Sequence, residues 1–378
     1  MAVPTISLVK SRADRKTFIK FPYRLYRDTP MWVPPLLVDM EHLVNVKKNA
    51  FFEHGKGAFF LARSSSGEIV GRIAGIVNGM HLKKYNDGVG FFGFYECIND
   101  SDVSKALFEA ASDWLKAEGM SSIRGPVNPS MNDTAGLLIS GFERQPAVML
   151  PYNFDYYEQQ LLDFGFERCT TMWSYYTNVR LVDATRLLRG ADIIKRRNPH
   201  LTIRTLDMKE YETDARALLE VYNDAWSENW GHVPMTDGEF AQMTKSMKEI
   251  INPDLVNIVM DGDEPIAFSV SLPDINYALI KIRNGRLLPF GILKLFAMIK
   301  LDAIRESRML LMGVKKKYQG KGLDMLVVAD MLVRNRKIGM LGCDMSWVLD
   351  DNLKLRNFLE GIGCVKENEY ALFELPIA

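Results

Sequence analysis

The chain runs twice through the same order of elements, and this repetition limits its fold more than any single motif does. In the first pass, "GAFFLAR" and "EIVGRIAGIVN" read as two strands around an "SSSG" turn, and "GVGFFGFYE" as a third. "VSKALFEAASDWLKAEG" has helical spacing and closes at Gly119, "SSIRGPV" follows as a strand, and "YYEQQLLDFGF" is a helix ending at a glycine. In the second pass "LTIRTL" opens a strand, "ETDARALLEVYNDAW" and "TDGEFAQMTKSMKEI" are amphipathic helices, and "LVNIVMDGDEPIAFSVSL" turns as a hairpin at "DGDE". "RMLLMGV", a glycine-containing loop and its helix, "LGCDMSWVL", "NLKLRNFLEGIGC" and the closing strand "EYALFELPI" follow. Both passes read hairpin, strand, helix, strand, helix, which predicts an α/β protein of two similar units with mixed sheets. A length of 378 residues fits two ordinary domains. The polar stretch "NVRLVDATRLLRGADIIKRRNPH" reads as the connection, giving units over 1–180 and 181–378.

Charge is balanced, with 47 Lys+Arg against 47 Asp+Glu, so no global field would gather nucleic acid, and no nucleic-acid partner is expected. Cys97, Cys169, Cys343 and Cys364 are far apart and form no ligand or disulfide spacing, which points to a reducing cytoplasm and to no structural metal. No window reaches the roughly 18 apolar residues of a membrane span, and the N-terminus lacks a leader pattern. The expectation is a soluble protein, with a peripheral contact at the inner membrane left open.

The loop "GVKKKYQGKGLD" sits where an apolar strand passes into a helix. Backbone N–H groups converging at a helix N-terminus bind phosphate, and glycines at 320 and 322 let the backbone approach phosphate oxygens. Lys315, Lys316, Lys317 and Lys321 would add positive charge. The dinucleotide GxGxxG and the P-loop GxxxxGK[ST] are both absent, and a plain lysine-rich turn is the alternative.

"VKKKYQGKGL" resembles the acyl-CoA pyrophosphate loop of the GCN5-related N-acetyltransferase (GNAT) superfamily, and "DDNLKLRNFLEGIGC" resembles the Asn-led helix that follows that superfamily's fifth strand. The resemblance implies tandem GNAT-like domains, with acetyl-CoA or another acyl-CoA as co-substrate held by Met312, Gly313, Val314, Gln319, Gly320, Lys321, Gly322, Leu323 and Asn352. Two positions depart from the pattern. Asp324 stands in place of a small residue, and Leu359 replaces the tyrosine that often protonates the leaving thiolate. The first unit lacks a glycine pair after "GFFGFYE" and looks like a degenerate GNAT fold that shapes the acceptor cleft. "YRDTPMWVPP", "GPVNPSMNDTAGLLISGF", "NWGHVPMT", "LPDINYALIKIRNGRLLPFG" and "DMSWVLDDN" are similar to segments of a family of bacterial tandem-GNAT proteins, relatives of which are implied to N-acylate sphingoid bases with long-chain acyl groups.

Acyl transfer from a thioester to an amine needs a donor to the oxyanion, a base for the amine and a proton for the thiolate. The resemblance implies backbone N–H donors at Met312 and Val314. "CDMSWVLDDN" supplies Asp344, Trp347 and Asp350 as candidates, with Asp344 and Ser346 on one face of a strand and Trp347 on the other. Asp350, Asp351 and Asn352 read equally well as caps of the next helix, and Trp347 as a core aromatic. His232, in "AWSENWGHVPMTD", could serve as a base or merely pack beside a Thr236–Glu239 capping box. The stretch 286–300 is apolar with interspersed cations and reads either as a helix buried between the units or as an interfacial one. The expected activity is acyl transfer, acetyl in the first instance, from CoA to the primary amine of a small molecule. The alternatives are long-chain transfer to a lipid or sphingoid amine, and a non-catalytic CoA-binding protein.

Overall fold

In a computed structural model that describes residues 4–289, 291–300 and 304–377, the two passes form one continuous sheet. The first comprises β1 (Thr5–Leu8), α1 (Arg12–Leu25), α2 (Leu37–Leu43), β2 (Lys56–Arg63), β3 (Ile69–Val77), α3 (Gly79–Tyr85), β4 (Val89–Cys97), α4 (Ser101–Ala117), β5 (Ser122–Gly125), β6 (Val127–Asn128), β7 (Thr134–Ala135), β8 (Leu137–Ser140), α5 (Tyr156–Phe164) and β9 (Glu167–Asn178). The second comprises α6 (Ala184–Arg197), β10 (Leu201–Thr205), α7 (Tyr211–Trp226), α8 (Asp237–Lys248), β11 (Val256–Asp261), β12 (Glu264–Pro273), α9 (Asn276–Leu279), α10 (Gly291–Lys300), β13 (Glu306–Val314), α11 (Leu323–Lys337), β14 (Gly342–Leu349), α12 (Leu353–Gly361) and β15 (Val365–Pro376).

The strand order is β1-β2-β3-β4-β5-β15-β9-β14-β13-β12-β11-β10, with β8 attached to β15. Read from either end, it meets the same sequence of elements, but the last strands are exchanged: β15 of the second half pairs with β5, and β9 of the first half pairs with β14. The two exchanged strands also pair with each other over Glu167–Tyr176. Each half therefore completes the other's sheet, and the boundary at 180 falls between β9 and α6.

Burial pattern explains the elements. β3, "IVGRIAGIV", is buried at every position, as a central strand covered on both faces must be. Along β2, Phe59 and Leu61 enter one core while Ala58, Phe60 and Ala62 enter the core on the opposite face. The stretch expected to be a polar connection instead contains α6, whose Leu187 and Ala191 are buried against α11 while its charged residues stay outside. Its hydrophobic positions recur once per turn among many arginines, and composition alone hid them.

The 286–300 stretch includes α10. Phe290 and the side chains of residues 292, 294, 296, 299 and 300, on which the choice between a buried and an interfacial helix turns, lie outside the described residues. Among the described residues, no helix is long and apolar enough to cross a membrane.

Candidate functional site

β13 and β14 are parallel neighbours only from Glu306↔Gly342 to Met309↔Met345, and beyond that they diverge into a fork. A bulge at Leu310, between the pairs Val270↔Leu311 and Ser271↔Met309, bends β13 away. The Lys315 N–H donates to the Ile266 carbonyl at 2.9 Å. By antiparallel alternation, Gly313 and Leu311 then face β12, while the N–H groups of Met312 and Val314 face the fork. These are the two donors expected from the sequence. Trp226, at the end of α7, donates its indole N–H to the Met312 carbonyl at 3.0 Å and holds that edge in place.

The glycine loop closes the open end of the fork. Gly320 and Gly322 have φ of +77° and +81°, and Gly322 is the N-cap of α11 with no side chain bonded to the first-turn N–H groups. A Cβ at Gly322 would meet only the movable end of the Ile194 side chain on α6, so it is the positive φ that calls for glycine there. Uncapped N–H groups at the start of a 15-residue helix suit a diphosphate. Asp324 is half-buried in the first turn, and Gln319 donates to the Val314 carbonyl at 3.1 Å. The lysine expectation changes in part. Lys315 pairs with Glu264 at 2.8 Å and Lys316 with Glu228 at 2.5 Å, whereas Lys317 and Lys321 lie over the Tyr318 ring at 5.1 and 4.7 Å.

Below the fork's apex lies a buried polar cluster that local sequence did not reveal. Arg308, directly opposite Asp344 in register, donates to Ser346 Oγ at 3.0 Å, to the Ser346 carbonyl at 3.1 Å and to the Val148 carbonyl at 2.6 Å. Asp344 accepts hydrogen bonds from the hydroxyls of Ser346 and of Ser174 on the exchanged strand β9. Asp274, at the end of β12, accepts from the Val148 and Asn276 N–H groups at 2.9 and 3.1 Å. Burial raises the pKa of Asp344, and burial lifts Asp274 to about 7, with the charge of Asp344 adding to the effect. Among the described residues, the buried Ser271 and Tyr370 hydroxyls and the buried Trp347 indole N–H have no hydrogen-bond partner. Arg308 and Asp274 were each visible as single residues in "RMLLMGV" and "LPDINYALIK". Only the sheet register and a first-half loop bring them together.

The other candidates occupy different places. Trp347 lies below Arg308, 5.2 Å from ring centre to guanidinium, and packs into the first half's core. Asp350 is bound by Arg356 at 2.5 Å and by the Trp173 indole at 2.7 Å, which leaves its carboxylate fixed on the surface. Asn352 caps α12 through the Leu355 N–H, so the capping reading holds for it. His232 joins the first half: Lys84 Nζ is 3.0 Å from its Nδ1, and burial, with the Lys84 charge, lowers its pKa to about 4. Leu359 is a buried core residue of α12.

Beside the fork, on the face carrying Leu311, α7 and α8 flank a small, almost wholly apolar cleft of about 60 Å³. Leu219, Met243, Met247, Phe268 and Leu311 are among the residues lining it.

No family model matches the sequence. Protein YghO of Escherichia coli (strain K12) is 35% identical over 378 residues, spanning 97% of this chain and 94% of its own. Bacterial ceramide synthase of Caulobacter vibrioides (strain NA1000 / CB15N) is 33% identical over 375 residues, spanning 97% of this chain and 96% of its own. Among solved structures, a tandem GNAT protein from the clavulanic acid biosynthesis pathway (without AcCoA) superposes with a TM-score of 0.60 at 11% identity, covering 99% of both chains.

Proposed function

This chain belongs to the family that its YghO and bacterial ceramide synthase relatives share, with a tandem GNAT fold, and from that premise we propose that it is an acyl-CoA-dependent N-acyltransferase with a long-chain donor and a lipid amine acceptor. The observation that supports a long donor is the apolar lining of the cleft beside Leu311, where Met243, Met247 and Phe268 would meet an acyl chain. A long chain gains ~0.8 kcal/mol for each methylene it buries. The relative named as a ceramide synthase supports a lipid amine as acceptor.

Acyl-CoA, when bound, supplies a thioester carbonyl activated for attack. The loop from Gln319 to Leu323 and the start of α11 would hold its diphosphate, and the Met312 and Val314 N–H groups would line the thioester's path. In the reaction the amine nitrogen forms a bond to the acyl carbon, the C–S bond breaks, and the sulfur leaves as a thiol. One proton must therefore move from nitrogen, and one must reach sulfur. Asp344 would accept the amine's proton through Ser346, a reading supported by the hydrogen bond that the Ser346 hydroxyl donates to it at the apex of the fork.

The test is a paired calorimetric titration with acetyl-CoA and palmitoyl-CoA, repeated with Ala215→Trp, which fills the cleft from α7. Tighter binding of the long donor, abolished in the variant while acetyl-CoA affinity is retained, is the expected result. Equal affinity for both donors would return the reading to short-chain transfer.

A further inference from the structure

We propose that the segment from Ile275 to Lys300, which leads from β12 to β13, docks this protein on an anionic lipid bilayer. Between Asp274 and Asp302 the chain holds five cations, Lys281, Arg283, Arg286, Lys294 and Lys300, and no carboxylate. In a chain with equal numbers of acidic and basic residues, that concentration is local.

The structure divides the segment into an anchored side and an exposed side. Ala278, Leu279 and Ile282 are buried. Arg283 donates to the Trp32 and Thr29 carbonyls at 3.1 and 3.3 Å, and the Leu37 N–H donates to the Gly285 carbonyl at 2.9 Å, which ties the segment to the first half. A Cβ at Gly285 would lie 2.7 Å from the Pro35 carbonyl and 2.6 Å from the Tyr23 ring, so this contact is close. Outward stand Leu288, 74% exposed, Leu293, 63% exposed, and Tyr277, with Lys281 and Arg286 exposed between them. Among the described residues, neither Lys281 nor Arg286 has a carboxylate within ion-pairing distance.

Single exposed leucines are ordinary on protein surfaces. Two in one short segment, with an exposed tyrosine and cations but no acid, form the pattern of an interfacial anchor, in which apolar side chains enter the headgroup boundary and the cations meet anionic lipid. Charge selects this occupant, since the segment itself carries cations and no acid and so complements an anionic bilayer, with Glu306 on β13 and Asp274 the acids beside Tyr277. The inference does not depend on the acyl-transfer reading. The segment nonetheless runs from Asp274 to the strand carrying Arg308, so a docked protein would hold the polar cluster's side of the fork near the lipid.

The experiment is co-sedimentation of the full chain with extruded vesicles of phosphatidylcholine alone or mixed with phosphatidylglycerol. The double variants Leu288→Asp/Leu293→Asp and Lys281→Glu/Arg286→Glu are carried alongside, with melting temperature as the folding control. The wild type is expected to partition onto the anionic vesicles and be released by salt, and each variant to bind at least about tenfold more weakly. Wild type remaining in the supernatant over a large lipid excess would overturn the proposal, as would variants that bind like wild type. A concentration-dependent dimer in sizing experiments, split by the same substitutions and indifferent to vesicles, would overturn it in favour of a contact between copies of this chain.

Discussion

Both halves of the sheet fork, but the first half has filled its fork and the second has kept it open. In the first half β4 and β5 are paired from Val89↔Ser122 to Phe91↔Arg124, and β4 breaks register with β3 between Arg72 and Ala74, much as β13 does at Leu310. Past that point the segment around β6 enters the gap. Asn128 Oδ1 accepts the Phe94 N–H at 2.5 Å, and a Cβ on Gly93 would lie 1.9 Å from the Val127 carbonyl. At the corresponding helix start, the Asp100 carboxylate accepts the N–H groups of Asp102 and Val103 at 3.0 and 3.2 Å, the position where α11 has only Gly322. A carboxylate built into the chain thus occupies the donors that a diphosphate would need. Charge beneath the forks is also handled differently. Arg72 meets Glu96 at 3.6 Å with the Tyr26 and Tyr157 hydroxyls donating to the same carboxylate, whereas Arg308 is bound to carbonyl and hydroxyl oxygens, and Asp274 and Asp344 are left to N–H and hydroxyl donors. One arrangement closes a site. The other leaves titratable groups beside one.

The largest expected effect tests whether the second fork's cluster has a chemical role. Asp344→Asn should lower kcat by roughly 10²–10⁴-fold while leaving CoA affinity unchanged, and should flatten the acid limb of the pH–rate profile. A fall in CoA affinity, or a wild-type pH profile, would reduce Asp344 to a structural role.

Next in size is the linkage of Asp274 to stability. Its pKa in the folded protein, about 7, exceeds its unfolded value, so its contribution is full below pH ~4 and is lost as pH rises through about 7. Chemical denaturation of wild type and Asp274→Asn across that window should show their stabilities diverging by on the order of 4 kcal/mol, in the variant's favour at the alkaline end. Parallel pH curves would mean that Asp274 keeps an ordinary pKa.

Gly322→Val should weaken CoA binding about a hundredfold, equivalent to roughly 3 kcal/mol, because a β-branched residue is strained at this positive φ. Calorimetry reads this directly, and unchanged affinity would place the diphosphate elsewhere. The smallest effect belongs to the closed fork. Asp100→Ala should cost ~1 kcal/mol in thermal unfolding as a lost helix cap, with binding still at one CoA per chain, since Val127 and Asn128 continue to fill the gap. A second CoA bound by that variant would break the contrast between the halves.

Much of this was legible in the sequence, for reasons that are local. The hairpins, the helix after the glycine loop and the Thr236–Glu239 capping box depend on residues a few positions apart, and such patterns survive in the chain's linear order. The glycine loop was legible as a strand-to-helix turn because the positive φ at positions 320 and 322 calls for glycine. The polar cluster was not, because its members come from β9, β12, β13, β14 and a first-half loop that meet only through sheet register. Asp350 misled because its position at a strand end suits a site equally well, and its engagement by Trp173 and Arg356 requires knowing which strand lies alongside.

By itself, then, the sequence determined the two passes, the element types and the loop at α11, since each follows from periodicity, capping and dihedral preference within a short window. Tertiary structure decided that β9 and β15 change places, that one fork is filled while the other stays open, and that Arg308, Asp344 and Asp274 share a buried site. The physical reason is that pairing, burial and pKa depend on neighbours distant in the chain, and no local pattern encodes which neighbours those will be.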